Sequence, residues 1–520
     1  MDTDLCHVGI IANPELDNVA VAKRDLPGGA VLVWRDRRLS VRQTVPCGQR
    51  LALEDLPTGT LVRQYGHPFA RSRGIPAGGL VSADSVEGLD PAHMPSESAA
   101  SVPVPVWRGP TWGKEPVPTF LGYRRSDGRC GTRNYYVIIP TSMCASALAA
   151  QAARRLETIW HDLPDREHVD GIVALAHTEG CGCASNVQID RLLLVLKGFL
   201  LHPNVGGCLL MDLGCEQTNR ERVDRYLRDV LPAAGKPVDW VSIQAEGGSR
   251  KALERAVALG SSHLPLVARV RRASCPLSEL VVGTECGASD SFSGITANPV
   301  MGAAADRVVA AGGSAILTEI PELLGIYEML RPRFRDAAVA AKYVAAVAWY
   351  CDLAARLNVS MGDNVVPKNR EGGLLNSVIK SLGAAMKGGT GIIEDVIDYG
   401  APLARRGLHI MQGPGGDLES VTGLVASGAN LICFSTGKGT ITGDAVCPVI
   451  KMASTDELAR AMPEDMDFNA GRLLTDSVSV TALGDELLQL MLRVASGERT
   501  WSEKWGQHQF QIWTAEKLSL

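Results

Sequence analysis

From Val19 to about Gly88 the apolar residues come in short runs broken by turns. Val19-Ala20-Val21-Ala22, Ala30-Val31-Leu32-Val33 and Leu39-Ser40-Val41-Arg42 read as strands. The phrases Leu26-Pro27-Gly28-Gly29, Leu56-Pro57-Thr58-Gly59 and Ile75-Pro76-Ala77-Gly78-Gly79 punctuate them and recur loosely, as in a small barrel of similar hairpins. This pattern predicts a β-rich unit over residues 1–88. Residues 89–118 are rich in Pro, Ser and Gly, with Pro91, Pro95, Pro103, Pro105 and Pro110, and read as a semi-extended linker without a core of its own.

Beyond the linker the period changes. Tyr135 to Pro140 and Gly171 to Ala176 are continuous apolar runs of buried-strand length, whereas Ala145 to Thr158 and Val187 to Phe199 repeat with helical spacing. Gly207 to Asp212 and Leu280 to Gly283 are further strands, and Val300 to Ala311 a helix. The alternation continues through Gly407 to Met411, Leu418 to Gly428 and Leu431 to Ser435. Such alternation implies layered, Rossmann-like α/β units with mainly parallel sheets. We expect two of them, a catalytic unit over 119–388 and a C-terminal unit over 389–520.

Polar clusters follow several of these strands, where open α/β sheets place their ligand crevices. They are Thr141-Ser142-Met143-Cys144, His177-Thr178-Glu179-Gly180-Cys181-Gly182-Cys183, Gly214-Cys215-Glu216 and Glu285-Cys286-Gly287-Ala288-Ser289-Asp290. Each delivers a cysteine, and a recurrence of four at equivalent strand ends points to a shared chemical role. The isolated Cys6, Cys47, Cys208, Cys351 and Cys433 read instead as small core residues. Cys181-Gly182-Cys183 lacks the C-x-x-C spacing of a zinc or redox pair. Gly437-Lys438-Gly439-Thr440 could cradle a carboxylate but lacks P-loop spacing. Asn369-Arg370-Glu371-Gly372-Gly373 sets a cation beside backbone that a ligand can approach.

Composition narrows the partners. The 520 residues are 46% hydrophobic and only 5% aromatic, with a net charge of −5, so no basic footprint suggests nucleic acid. No apolar run approaches the roughly 20 residues that span a bilayer. The N-terminus, Met1-Asp2-Thr3-Asp4-Leu5, does not show the basic segment and apolar stretch expected of a signal peptide, and with thirteen cysteines this leads us to expect a reducing compartment, the cytoplasm. A homodimer is the expectation for a chain of this kind.

Longer motifs carry a family resemblance. Gly122-Tyr123-Arg124-Arg125-Ser126-Asp127-Gly128-Arg129-Cys130-Gly131-Thr132-Arg133-Asn134 resembles the opening motif of the catalytic part of altronate and galactarate dehydratases. So do Leu213-Gly214-Cys215-Glu216, the run from Gly287 to Pro299, Thr318-Glu319-Ile320-Pro321-Glu322 and Ser435-Thr436-Gly437-Lys438-Gly439-Thr440. Residues Asp17 to Gly66 are similar to the family's SAF domain. Cys275 to Gly283 and Trp501 to Gly506 look nearest the galactarate branch. The resemblance implies a hydro-lyase that converts a hexarate or hexonate to a 2-keto-3-deoxy acid. It also implies a divalent metal, Fe2+ or alternatively Mn2+, with an iron–sulfur cluster as the other option. The ingredients suit the chemistry, because a proton beside a carboxylate is poorly acidic and its removal needs a cationic clamp, a base and an acid. Under this resemblance His177, Glu179 and Glu216 are candidates for proton transfer. Cys144, Cys181, Cys215 and Cys286 are candidate metal ligands, and Asp290, Asn298, Glu319, Arg370 and Lys438 candidate substrate contacts.

Three departures from the family pattern fall in these loops. Val365, Val366 and Lys368 replace a Pro, a Ser and a Gly. Ile379 stands where the family carries a glutamate, and Gly439-Thr440-Ile441-Thr442-Gly443 replaces G-T-P-Y-G. A changed substrate is therefore open, as are a sulfo-lyase releasing sulfite from a sulfonated hydroxy acid and a non-catalytic sugar-acid binder.

Overall fold

The computed structural model describes residues 3–92, 102–113, 116–182, 187–227 and 235–515. The N-terminal unit is all β apart from one short helical turn. Gly9–Ile10, Val19–Ala22, Arg50–Ala52 and Leu80–Val81 form an antiparallel four-stranded sheet. The hairpins Val31–Trp34/Arg37–Ser40 and Leu61–Gln64/His67–Ser72 flank it. The second expected strand starts one residue late, and the third lies two residues earlier than its apolar run. The repeated Pro-Gly phrases are equivalent turns, since Leu26 bridges Val45, Leu56 bridges Ile75, and Gly29, Gly59 and Gly78 all take positive φ. In the second hairpin Tyr65 and Gly66 both have positive φ, the tight two-residue turn that matches strand twist.

The first α/β unit has a four-stranded parallel sheet made of β1 (Tyr135–Pro140), β2 (Gly171–Ala174), β3 (Val205–Asp212) and β4 (Val238–Ser242), in the order β2-β1-β3-β4. Helices α1 (Met143–His161), α2 (Val187–Leu201) and α3 (Ser249–Ala268) cover its faces. All six residues of β1 and all eight of β3 are buried, which is why both read as unbroken apolar runs.

The second unit contains β5 (Val281–Cys286), α4 (Ala297–Ala310), β6 (Ser314–Leu317), α5 (Ala337–Arg356) and α6 (Ser377–Ala385). It continues with β7 (Ile393–Ile397), β8 (Gly407–Met411), α7 (Asp417–Ala426), β9 (Leu431–Thr436), β10 (Val449–Ala453), β11 (Phe468–Asn469) and α8 (Val480–Ala495). Its seven strands are parallel in the order β7-β8-β6-β5-β9-β10-β11. This corrects the expected division at residues 388/389: β5 and β6 belong to the second sheet, with β5 at its centre, so the two layers separate before Val281. An apolar run marks a strand, but its partner is set by hydrogen bonds to residues far along the chain, here Val282 opposite Leu431.

Among the described residues helix α5 is the one helix long and apolar enough by length and composition to cross a membrane, although Lys342, Asp352 and Arg356 interrupt its apolar run. One face, with Val339, Tyr343 and Val347, is buried in the core. The linker also proves anchored, as Trp107 Nε1 donates to Thr390 Oγ1 at 3.0 Å and Trp112 Nε1 to the Arg307 carbonyl at 3.3 Å.

Much of the long opening motif joins the two α/β units. Thr119–Arg124 pairs with Cys130–Gly131 and with Arg272–Pro276. Arg133 is fully buried and forms a two-pronged ion pair with Glu503, at 2.6 and 2.8 Å. Thr132 Oγ1 donates to the Asn430 carbonyl at 2.6 Å.

Candidate active site

Strand order creates two crevices. In the first sheet the chain goes from β1 to one side for β2, then crosses to the other for β3. In the second it leaves β5 for β6 on one side and returns to its other side as β9. Ligands of open parallel sheets bind outside the carboxyl ends of the strands at such reversals. The crevices open in the same direction. Helices α2 and α7 pack side by side, with Gly198 against Ala426 near their C-termini, while Arg191 and Glu419 lie within electrostatic reach near their N-termini.

At the first crevice three loops are laced around the end of β1. His177 is buried; its Nδ1 accepts from the Glu179 N–H at 3.1 Å, which leaves Nε2 to donate to the Pro140 carbonyl at 2.8 Å. The Glu179 carbonyl accepts from Met143 N at 2.7 Å, and its carboxylate accepts from Thr178 Oγ1 at 3.0 Å. Glu216 accepts from Leu213 N at 2.9 Å, Gly214 N at 2.6 Å and Ser142 Oγ at 2.8 Å. Burial pushes the Glu216 carboxyl up, but these donors outweigh it and hold it below its ordinary value. His177 and Glu216 therefore serve the loops with the very atoms that proton transfer would use.

That lacing holds three cysteines in a group. Cys144 is the second residue of α1 and exposed, Cys181 is half-buried, and Cys215 is exposed. The Cys144 thiol is raised by burial, by a hydrogen bond with Cys181 and by the nearby charges of Cys181, Glu216 and Cys215. Cys183 lies outside the described residues.

Cys286, the fourth expected ligand, belongs to the other crevice. At the end of β5 it is fully buried, with Lys387 Nζ 2.8 Å from its sulfur and Glu319 Oε2 3.5 Å away. Lys387 is also ion-paired with Glu319, and neither is exposed. Burial pushes Glu319 up to about 7 against the pull of Lys387, while Cys286, Glu319 and Glu285 hold the Lys387 ammonium charged. Glu285 is driven well above its usual range by burial and by Glu319. Its Oε2 accepts from Ser420 Oγ at 2.8 Å, and its Oε1 has no partner. Asp417, at the start of α7, is pushed to about 6 by burial.

The expected substrate contacts divide. Asp290 accepts from Ser293 N and Oγ, both at 2.8 Å, and Asn298 lies between the Gly383 carbonyl at 2.9 Å and Ser435 Oγ at 2.5 Å. Both are buried beside the second crevice, near Glu322 and its 2.8 Å partner Lys380. Arg370 and Lys438 are exposed. Arg370 lines a separate cleft of about 340 Å³ against the N-terminal unit.

That unit reaches the site directly. Arg50 is fully buried; Nε donates to Gln64 Oε1 at 2.7 Å, while Nη1 donates to Ser291 Oγ at 3.2 Å and to the Gly373 carbonyl. Arg50, Tyr65, Lys380 and Ile379 share a cavity of about 10 Å³, room for one water.

Lys387, Glu285 and Asp417 were absent from the candidates read from the sequence. Lys387 follows a helix and precedes Gly388-Gly389, so it resembles an ordinary helix-ending cation. The available signal was the glutamate adjoining Cys286 at the same strand end.

An open α/β enzyme with a thiol-bearing and an acid–amine crevice is the class that this fold and site define. Family models match as the altronate/galactarate dehydratase SAF domain over residues 8–88, the galactarate dehydratase/altronate hydrolase second domain over 122–268, and the galactarate/altronate dehydratase C-terminal domain over 277–517. The altronate dehydratase of Bacillus subtilis is 32% identical over 494 residues, 94% of this chain and 95% of its own. The galactarate dehydratase (L-threo-forming) of Escherichia coli is 33% identical over 517 residues, 98% and 94% of the two chains. The (2R)-sulfolactate sulfo-lyase subunit beta of Chromohalobacter salexigens is 29% identical over 397 residues, 76% of this chain and 97% of its own. The chain belongs to the altronate/galactarate dehydratase family and is an enzyme of the carbon–oxygen lyase class.

Proposed function

We propose that this protein dehydrates a sugar acid such as galactarate or altronate, removing the proton next to a carboxylate and the hydroxyl one carbon further on. The removed proton goes to a protein base, the hydroxyl leaves as water after accepting a proton, and the resulting enol tautomerises to a 2-keto-3-deoxy acid. The observation that carries this reading is the second crevice, where Lys387, paired with Glu319 and 2.8 Å from the Cys286 sulfur, and Glu285, whose carboxyl burial raises, are gathered at one strand end. An ammonium can hold a carboxylate and its developing enolate charge, and carboxyls of raised pKa can give and take protons near neutral pH. Asp290 and Asn298 border this crevice and would orient hydroxyls.

The donor set of the first crevice suits a thiophilic divalent metal such as Fe2+, because three cysteines from three loops come near one another, Cys144 hydrogen-bonding with Cys181 and lying within electrostatic reach of Cys215. Bound there by Cys144, Cys181 and Cys215, it would supply Lewis acidity. His177 and Glu216 would hold the ligand loops, which leaves Glu179 as the proton-transfer candidate on that side. In this reading the protein acts in the cytoplasm, as a homodimer, on a small acid.

The test is anaerobic turnover with ferrous iron across aldarates and aldonates, detecting 2-keto-3-deoxy products. Product from one acid, lost on chelation and in Cys144→Ala, supports the reading. No product from any acid, together with sulfite release from a sulfonated hydroxy acid, would replace it with the chemistry named for the Chromohalobacter relative.

A further inference from the structure

We propose that Arg50 of the N-terminal unit binds the far carboxylate of the substrate, the one away from the reacting carbons. The protein then takes a sugar dicarboxylate in preference to the matching monocarboxylate. The inference rests on the reaction proposed above and specifies the acid.

A buried charge without a counter-charge is the first argument. Arg50 is fully buried, and its hydrogen-bond partners, Gln64 Oε1, Ser291 Oγ and the Gly373 carbonyl, are all neutral. The Phe69 ring, 5.7 Å from the guanidinium carbon, is neutral too. Among the described residues the Tyr65 phenol is the one titratable group within electrostatic reach, and burial keeps that phenol protonated. Burial draws Arg50 down to about 10, so the guanidinium stays charged at neutral pH. The other enclosed cations described above all have carboxylates: Lys387 has Glu319, Lys380 has Glu322 and Arg133 has Glu503. An enclosed cation that lacks one is costly, because no opposite charge replaces its lost hydration.

The walls around Arg50 leave that role to a ligand. The cavity of about 10 Å³ that it lines is bordered also by Ile379, Lys380, Asp290, Asn298 and Ser289. Ile379 is apolar, Lys380 is committed to Glu322 at 2.8 Å, and Asp290 accepts twice from Ser293 at 2.8 Å. Room for one water is room for one carboxylate oxygen, delivered beside the guanidinium.

Position supplies the third argument. Ser289 Oγ lies 3.9 Å from the Cys286 sulfur, which is itself 2.8 Å from Lys387 Nζ, so the cavity adjoins the acid–amine group. The two cations stand on either side of Ser289 and Cys286, an arrangement that matches an acid charged at both ends. Close backbone approach keeps Arg50 there. Gly373 has positive φ, and a side chain at that position would collide with the Gly48 carbonyl, two residues before Arg50.

Affinities of the full-length, metal-loaded protein for galactarate and galactonate, read without oxygen from the shift in melting temperature, test this. The two acids match except at the last carbon, a carboxylate in one and a hydroxymethyl in the other. The parent should bind galactarate about 10-fold or more tightly than galactonate. Arg50→Gln should bring the two within about 2-fold, and so should Ile379→Glu, whose carboxylate neutralises Arg50 in place. Arg50→Lys, which keeps the charge, should retain part of the preference. Circular dichroism checks that the variants fold, and Ile379→Glu decides alone if Arg50→Gln does not. Equal affinities in the parent, no binding of either acid, or a preference that survives in the deciding variant would overturn the proposal. Turnover in the same samples separates the two readings. Dehydration of both acids with equal affinity sinks the Arg50 contact alone. A preference lost in the variants, with neither acid dehydrated by the parent, upholds the contact and sinks the proposed reaction.

Discussion

The two crevices share a topology and differ in solvent. Both lie where a parallel sheet reverses its strand order, and both collect groups from the loops that follow those strands. The first exposes its thiols and commits its acid and imidazole to backbone. The second encloses an ammonium, a thiol and carboxyls that few donors serve. Burial is thus what separates them: it shifts proton affinities at the second and leaves ligand atoms accessible at the first. Substitutions should accordingly damage both folding and chemistry at the second crevice and chemistry alone at the first.

The largest loss of stability should come from Lys387→Met, which leaves Glu319 without its counter-charge. Breaking a buried pair costs about 3–5 kcal/mol, readable by urea denaturation, and Glu319→Gln added to it should recover part of the loss. An unchanged midpoint would break the contrast between the crevices. Ile379→Ala, which empties a buried position beside Arg50, should cost about 2–4 kcal/mol, and Ile379→Glu less, because its carboxylate meets Arg50 and Lys380. At the exposed edge Cys144→Ser should cost under about 0.5 kcal/mol of stability. Turnover should nevertheless fall about 100-fold or more, equivalent to about 2.7 kcal/mol in the barrier.

The smallest effect is on pH dependence. Asp417 titrates in the folded protein at about 6, above its unfolded value near 4. The folded state therefore holds its proton more tightly, so this group's contribution to stability is full below about pH 4 and lost as pH rises through 6. Melting temperatures of Asp417→Asn, taken relative to the parent at each pH, should be higher at pH 7.5 than at pH 4.5. A constant offset across that range would remove Asp417 from the titrating set.

Local pattern made the elements legible and left their partners hidden. Tyr135–Pro140 and Gly407–Met411 appear where their apolar runs place them, and Val187–Leu201 where its helical period does. The strand-end cysteines were legible because strand ends are local. Their division into three and one was not, because β5 enters the second sheet through hydrogen bonds to β9, far along the chain. For the same reason the long Gly122–Asn134 motif gave no hint that Arg133 faces Glu503. The exposed Cys6 and Cys47, read as small core residues, lie in a unit whose thin sheets leave many positions at the surface.

Arg50 joins the N-terminal unit to the rest by an interface rather than by the peptide chain. Its bonds to Ser291 and Gly373 recur around the join, where Asn376 Nδ2 donates to the Phe69 carbonyl at 3.1 Å. Covalent continuity is then dispensable in principle, and the enzyme can be regarded as two pieces that happen to be translated together. Cleaved between the pieces, they should stay associated and migrate as one particle. A gene split at that point would encode a workable heteromer, and fusion or fission there would be a modest evolutionary step.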